Sequence, residues 1–418
     1  MVKGKWKTPW LWIPSLSAAV EIPTAVVTFV SLLMFLQFGL SDTWASLLCA
    51  LLFLPSILKP RLRPLLLKAG NFKRNIHLSE AFLFCILIAI ALYINYFPVN
   101  PFLLFALLLL VSFLCSVHEQ LAQLYYDRML PNLQQRLYDK TRIFASQTTV
   151  ILTYGILIIS VGFLEIFFRS VRKAWAMESY LVAGAFLLFA LMNLLVMQPP
   201  RGYRRPKALK TSEKASASQN TSTRLSVLLP FALLMLPQAL MFNTRVFFLL
   251  ADPAEGGLGC SVQDVGFAQG TIGVIAFSVG LLLGRLLRAY YGETRTFWWL
   301  AIPLTISPLF YMLMSQFPPI DQLTLICCMT FLAQFCFGFG LNLCNPFAKS
   351  IFGEGSPTNI KPRTPLVALV MLLPMALSGW LETLIGFKAF FLLDICLAPL
   401  IWFIVHRKFS NIASTSQT

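Results

Sequence analysis

Glu21 is a carboxylate set in an apolar run. Ser17, Glu21, Thr24, Thr28 and Ser31 recur at steps of four, three, four and three, which puts them on one helical face. An ionisable group in such a run is costly in lipid unless it is protonated, paired or hydrated. Glu21 is therefore expected to contact a polar solute and to carry a coupled proton. The alternative is an inter-helix hydrogen bond that serves packing. Further on, Glu119, Gln123 and Tyr126 share a face at steps of four and three, beside His118 and Tyr125. A protonatable acid next to an amide and a phenol suits a proton step at Glu119 and solute binding at Gln123. Against this stands a hydrated helix end at which Glu119 pairs with a basic loop.

A second set lies in the other half of the chain. Gln238 and Arg245 are seven residues apart on one side of an apolar run that also holds Asn243. A buried guanidinium must find a carboxylate, carbonyls or an anionic ligand, so Arg245 is read as an anion-binding group; the alternative is snorkelling to the interface. Gln334, Gly338, Asn342 and Asn345 form a polar stripe that ends at Pro346, read as solute-binding or as inter-helix hydrogen bonding. Gly266, Gly270, Gly273, Gly280 and Gly284 make a smooth face suited to close helix approach. No phosphate-binding loop, zinc-protease motif or serine-hydrolase elbow occurs, and the nine cysteines show neither metal spacing nor a disulfide framework. The expectation is a chain that is not an enzyme and needs no cofactor and no metal.

These residues need helices to carry them. The chain is 57% hydrophobic and 12% charged over 418 residues, with a mean hydropathy of +0.74, which marks an all-α polytopic membrane protein. A span takes about 20 apolar residues. Such windows lie near 12–37, 43–58, 78–97, 101–125, 143–168 and 179–197, then 226–250, 263–287, 297–317, 322–348, 364–384 and 389–405. Between the two sixes runs PPRGYRRPKALKTSEKASASQNTSTR, basic and rich in Ser and Thr, with no apolar pattern. It reads as a cytoplasmic linker over 199–225 between bundles at 1–198 and 226–418. Twenty-eight of the 33 Lys and Arg residues fall on one side of the twelve-helix arrangement. That side is expected to be the cytoplasm and to hold both termini. The net charge of +16 is accounted for by topology and lipid headgroups rather than nucleic acid.

The halves echo each other. Gly39-Leu-Ser41 precedes the second helix and Gly259-Cys-Ser261 the eighth, and each of those helices ends in a basic patch. Two parallel six-helix repeats about a linker are the plan of the major facilitator superfamily. Several stretches resemble its muropeptide-permease (AmpG-type) branch. These are Pro9-Trp10-Leu-Trp12-Ile-Pro14-Ser15-Leu with Ile22-Pro23, the segment from Leu54-Pro55 through Lys59 to Pro64-Leu65, and the glycine-rich Gly259 to Gly284. The resemblance implies a monomeric inner-membrane importer of cell-wall sugar-peptides, driven by protons through alternating access. The chain departs from that pattern in two places. No Asp precedes the basic cluster after the second helix, and Glu119 with Gln123 stands where the branch often carries two Asp residues. The rival class is a membrane receptor or scaffold that keeps the fold without transporting.

Overall fold

The computed structural model describes residues 9–130, 132–198, 221–316, 322–344, 347 and 364–415. Among them the chain is helical, with 11 helices long and apolar enough to cross a membrane, and twelve if the bent pair Asp42–Ile57 and Lys59–Lys68 counts as one span. In chain order these are α1 (Pro9–Gln37), α2 (Asp42–Ile57 and Lys59–Lys68), α3 (Phe72–Tyr96) and α4 (Pro101–Met129). Then come α5 (Asn132–Phe168), α6 (Val171–Val196), α7 (Thr221–Leu250) and α8 (Val262–Tyr291). The last four are α9 (Glu293–Gln316), α10 (Gln322–Gly340), α11 (Pro365–Ile385) and α12 (Phe387–Thr415). The protein is a multi-pass membrane protein. Its outward faces are apolar, with Leu195, Phe163, Ile166 and Leu373 well exposed, whereas Glu21, Glu80, Glu178, Arg245 and Asp394 are buried.

The linker expected over 199–225 lies outside the described residues as far as 220, and Thr221 already opens α7. Two compact units form, Met1–Ser41 with Leu51–Tyr203, and Asp42–Ala50 with Arg204–Thr418. The first part of α2 thus groups with the second unit, where Ser46 Oγ donates to the Ala376 carbonyl of α11 at 3.3 Å. Inside each unit the same packing recurs six helices on. The pairs α1–α5, α1–α6, α2–α4, α3–α4, α3–α6 and α5–α6 return as α7–α11, α7–α12, α8–α10, α9–α10, α9–α12 and α11–α12. The central helix of each unit is the most enclosed: the apolar windows of α1 and α7 are each 83% buried.

Local irregularities follow from sequence. Pro60, at the start of its second piece, gives α2 a 41° bend, because a proline neither donates its backbone bond nor clears the preceding turn. In α1, Pro23 stands just ahead of a π segment, Val26–Val30, in which the Ser31 N–H bonds the Val26 carbonyl five residues back. A second π segment, Gly266–Gly273, opens α8 after a capping box built by Ser261 and Asp264. Gly386 turns the chain from α11 into α12 at φ +76°, a conformation glycine adopts without strain.

Candidate functional site

In the first unit, Glu21 sits on α1 and its Oε1 accepts from Ser146 Oγ of α5 at 2.7 Å. The hydroxyls on the same face turn back on their own helix. Thr24 donates to the Val20 carbonyl, Thr28 to that of Thr24 and Ser31 to that of Val27, at 2.7, 2.7 and 2.8 Å. That habit of Ser and Thr satisfies each hydroxyl locally. The carboxylate therefore reaches a neighbouring helix from a stripe whose other members Thr24, Thr28 and Ser31 serve α1 itself.

The end of α4 is an ionic seam. Lys59 of α2 is 3% exposed and pairs with Glu119, which is 32% exposed, at 2.6 Å. Below it Arg63 contacts Asp127 at 3.3 Å. Gln123 is engaged at both ends of its amide, donating to Asp127 Oδ1 at 2.7 Å and accepting from Arg142 Nη2 at 2.5 Å. Arg142 also lies over the Tyr126 ring, 4.6 Å from its centroid, and the Tyr126 hydroxyl donates to Asp139 at 3.1 Å. Tyr125 donates to the Gln198 carbonyl at 2.9 Å. One turn earlier His118 is buried, with Nδ1 at 2.9 Å from Ser79 Oγ. Nearby on α3, Glu80 holds His77 Nδ1 at 2.9 Å and accepts from Asn193 Nδ2 at 2.6 Å.

In the second unit, Arg245 is buried on α7, its guanidinium 4.9 Å from the Phe242 ring centroid and within electrostatic range of the Tyr311 hydroxyl on α9. Around Tyr311 lies a polar cluster. Gln269, at the centre of the α8 π segment, donates to the Tyr311 hydroxyl at 3.1 Å and to Thr330 Oγ1 at 3.4 Å, and Gln334 Nε2 donates to Gln269 Oε1 at 3.2 Å. Gln238 ties α7 to α9 through the Leu304 carbonyl at 2.8 Å. Asn342, in the 3₁₀ turn Leu341–Leu343 that follows α10, donates to the Leu281 carbonyl of α8 at 3.1 Å, while its own carbonyl accepts from Arg288 at 3.3 Å. That seam closes because Gly280, Gly284 and Gly338 let backbones meet; a β-carbon on Gly338 would run into the Phe277 carbonyl. Asn345 lies outside the described residues.

No family model matches this chain, and no curated protein matches it by sequence. Solved structures do. A bacterial homologue of the human lysosomal transporter Spinster, in an inward-facing and unoccupied conformation, superposes with a TM-score of 0.67 at 14% identity, covering 98% of this chain and 99% of the other. The nucleoside transporter NupG gives 0.64 at 14%, over 96% and 98%. A D-xylose-proton symporter gives 0.58 at 14%, over 94% and 95%. The chain has the major facilitator fold.

Within that fold the sequence-selected residues fall into separate places. Glu21 lies between α1 and α5, Glu119 and Gln123 along α4, Gln238 and Arg245 on α7, and Asn342 in the turn after α10, against α8. Sequence reading passed over Glu80, Glu178, Gln269, Tyr311 and Asp394, all buried. Among the described residues Asp394 of α12 has neither carboxylate oxygen hydrogen-bonded. The rule that selected Glu21, an ionisable residue inside a span, selects Glu178 and Asp394 equally. Outside the spans, the Cys260 thiol is pushed up to about 12, by burial first and by the charge of Asp264 second, which keeps it from acting as a nucleophile.

Proposed function

We propose that this protein is a secondary transporter that moves a small polar solute through the inner membrane by alternating access. The observation that carries the reading is the repeated packing of the two units, each built on an enclosed central helix that bears an ionisable side chain, Glu21 on α1 and Arg245 on α7. A chain with no use for those groups would hold them at an insertion penalty of about 2.5–3.5 kcal/mol each. The fold's solved examples named above include carriers of a nucleoside and of a sugar with a proton, which supports the class.

Arg245, with the hydroxyl and amides of Tyr311, Gln269, Thr330 and Gln334, is the group we assign to an anionic, hydrogen-bonding solute. A guanidinium supplies a planar fork for a carboxylate, and the amides and hydroxyls suit sugar and peptide groups. A cell-wall sugar-peptide meets both demands, in keeping with the sequence resemblance. Gln123, Gln238, Asn342 and Asn345 remain secondary assignments for solute contact. Glu21 is assigned the coupled proton. Glu119, through the Lys59 pair, is assigned a second proton-sensitive contact, since protonation of the acid would release the pair.

Entrance counterflow in proteoliposomes tests this reading, with muropeptides, free sugars and short peptides as competing solutes. Saturable flux of one class supports transport. Specific binding without flux would make the protein a receptor that retains the fold.

A further inference from the structure

A small, partly open cavity of about 20 Å³ lies in the first unit, lined by Val26, Val30 and Met34 of α1, Leu87 and Ile90 of α3, and Trp175, Glu178, Ser179 and Val182 of α6. Its α1 wall is the π segment. A space of this size admits one water molecule where polar partners face it. Two do, Glu178 and Ser179.

The hydrogen-bond geometry around Glu178 accommodates a protonated carboxyl. The carboxyl is 2% exposed. Its Oε2 lies 2.7 Å from Ser160 Oγ of α5, and the same hydroxyl lies 2.9 Å from the Leu157 carbonyl. A serine hydroxyl has a single hydrogen, so it cannot donate to both acceptors at once. Both contacts become hydrogen bonds at once if Glu178 brings its own hydrogen: the carboxylic O–H donates to Ser160 Oγ, and Ser160 donates to the Leu157 carbonyl, which already accepts from its own helix. The remaining carboxyl oxygen, Oε1, is buried without a hydrogen-bond partner among the described residues. It can accept from a water in the cavity, whose second hydrogen goes to Ser179 Oγ, because the Ser179 hydrogen is already spent on the Trp175 carbonyl at 2.7 Å.

Among the described residues Glu178 has no ion-pair partner. None of the other cavity-wall residues is ionisable, and Glu21, Glu80, Glu165 and Arg172 of the surrounding helices are engaged elsewhere. Glu21 of α1 is on Ser146, Glu80 of α3 on His77 and Asn193, and Glu165 of α5 on Gln37. Arg172 of α6 donates to the Ile94 and Asn95 carbonyls. A buried carboxylate with no counter-ion and one unbonded oxygen is strongly disfavoured.

We propose that Glu178, Ser160 and one water in the cavity beside the π segment form a buried proton-binding site, occupied at neutral pH. Loss of the proton leaves a carboxylate against the π segment of α1, the helix that carries Glu21, so occupancy of the site is tied to the conformation of the central helix. That tie to transport rests on the function proposed above; protonation of Glu178 does not.

Infrared spectroscopy of the full-length protein in lipid tests the site. The difference spectrum of wild type minus Glu178→Gln, taken at neutral pH, should contain a carboxylic-acid C=O band. Ser160→Ala should move that band to higher frequency by removing its hydrogen bond. Gln preserves a donor to Ser160, so the variant should fold, and circular dichroism on the same sample confirms that it has. Carboxylate stretches in the difference spectrum, in place of the C=O band, would overturn the proposal. In proteoliposomes, Glu178→Gln should lose proton-driven accumulation while keeping counterflow. Unchanged accumulation would remove the coupling role, and a wild type without flux would defeat the transport reading; in either case the infrared band still decides the site.

Discussion

Replacing Glu119 by Gln should destabilise the first unit more than replacing Lys59 by Met, although the two residues form one ion pair. The reason is their unequal burial. Lys59 is 3% exposed and Glu119 32%, so without the partner's charge the Lys59 ammonium stays in the interior, whereas the Glu119 carboxylate can turn to water. Breaking a buried pair from one side costs about 3–5 kcal/mol. The partial hydration of Glu119 in the native pair lowers this to about 2–3 kcal/mol for Glu119→Gln. For Lys59→Met the methionine keeps the packing of the lysine stem, and the loss should be about 1 kcal/mol. The double variant should resemble Lys59→Met, which leaves a coupling equal to the Glu119→Gln loss, about 2–3 kcal/mol, in the cycle. Reversible unfolding of the four proteins in mixed micelles measures this directly. Additive losses, or a larger loss for Lys59→Met, would refute the argument from burial.

Other consequences follow from the same geometry. Gly338→Ala should lower stability by about 1–3 kcal/mol, read by thermal unfolding in detergent, because its β-carbon meets the Phe277 carbonyl and one helix of the α8–α10 seam must move. Cys260, though in a loop, should react with maleimide roughly a thousandfold more slowly than an ordinary thiol at neutral pH. Its rate should climb only as pH approaches the raised value of about 12, since the proton is retained below it. Arg245→Lys should weaken solute affinity and Arg245→Leu abolish it in a direct binding titration, as lysine keeps the charge but not the planar fork.

The apolar windows were legible because lipid demands about 20 apolar residues per span, and α1 to α12 fall close to where those runs lie. The second half of α2 was not. Lys59, Arg61, Arg63 and Lys68 read as a cytoplasmic gap, yet Lys59–Lys68 is helical, and Lys59 is drawn inward by Glu119, sixty positions on. Both π segments were invisible as well, since an extra residue in a helical turn leaves hydropathy unchanged. Candidate side chains could be selected singly from cost in lipid, but their partners could not. The bonds Glu21–Ser146, Gln269–Tyr311 and Asn342–Leu281 each join helices far apart in sequence, and spacing within one helix carries no information about the facing one. For the same reason Glu178 and Asp394 passed unnoticed, because neither belongs to a polar stripe on its own helix.

The proposed transport couples solute movement to protons through the enclosed helix α1. Uptake into proteoliposomes under an imposed inward proton gradient tests it most directly, with a muropeptide as solute and Glu21→Gln beside the wild type. The account predicts that the wild type accumulates solute above the outside concentration, whereas Glu21→Gln only equilibrates it. Binding of the solute with no entry, or accumulation that Glu21→Gln leaves intact, would contradict it.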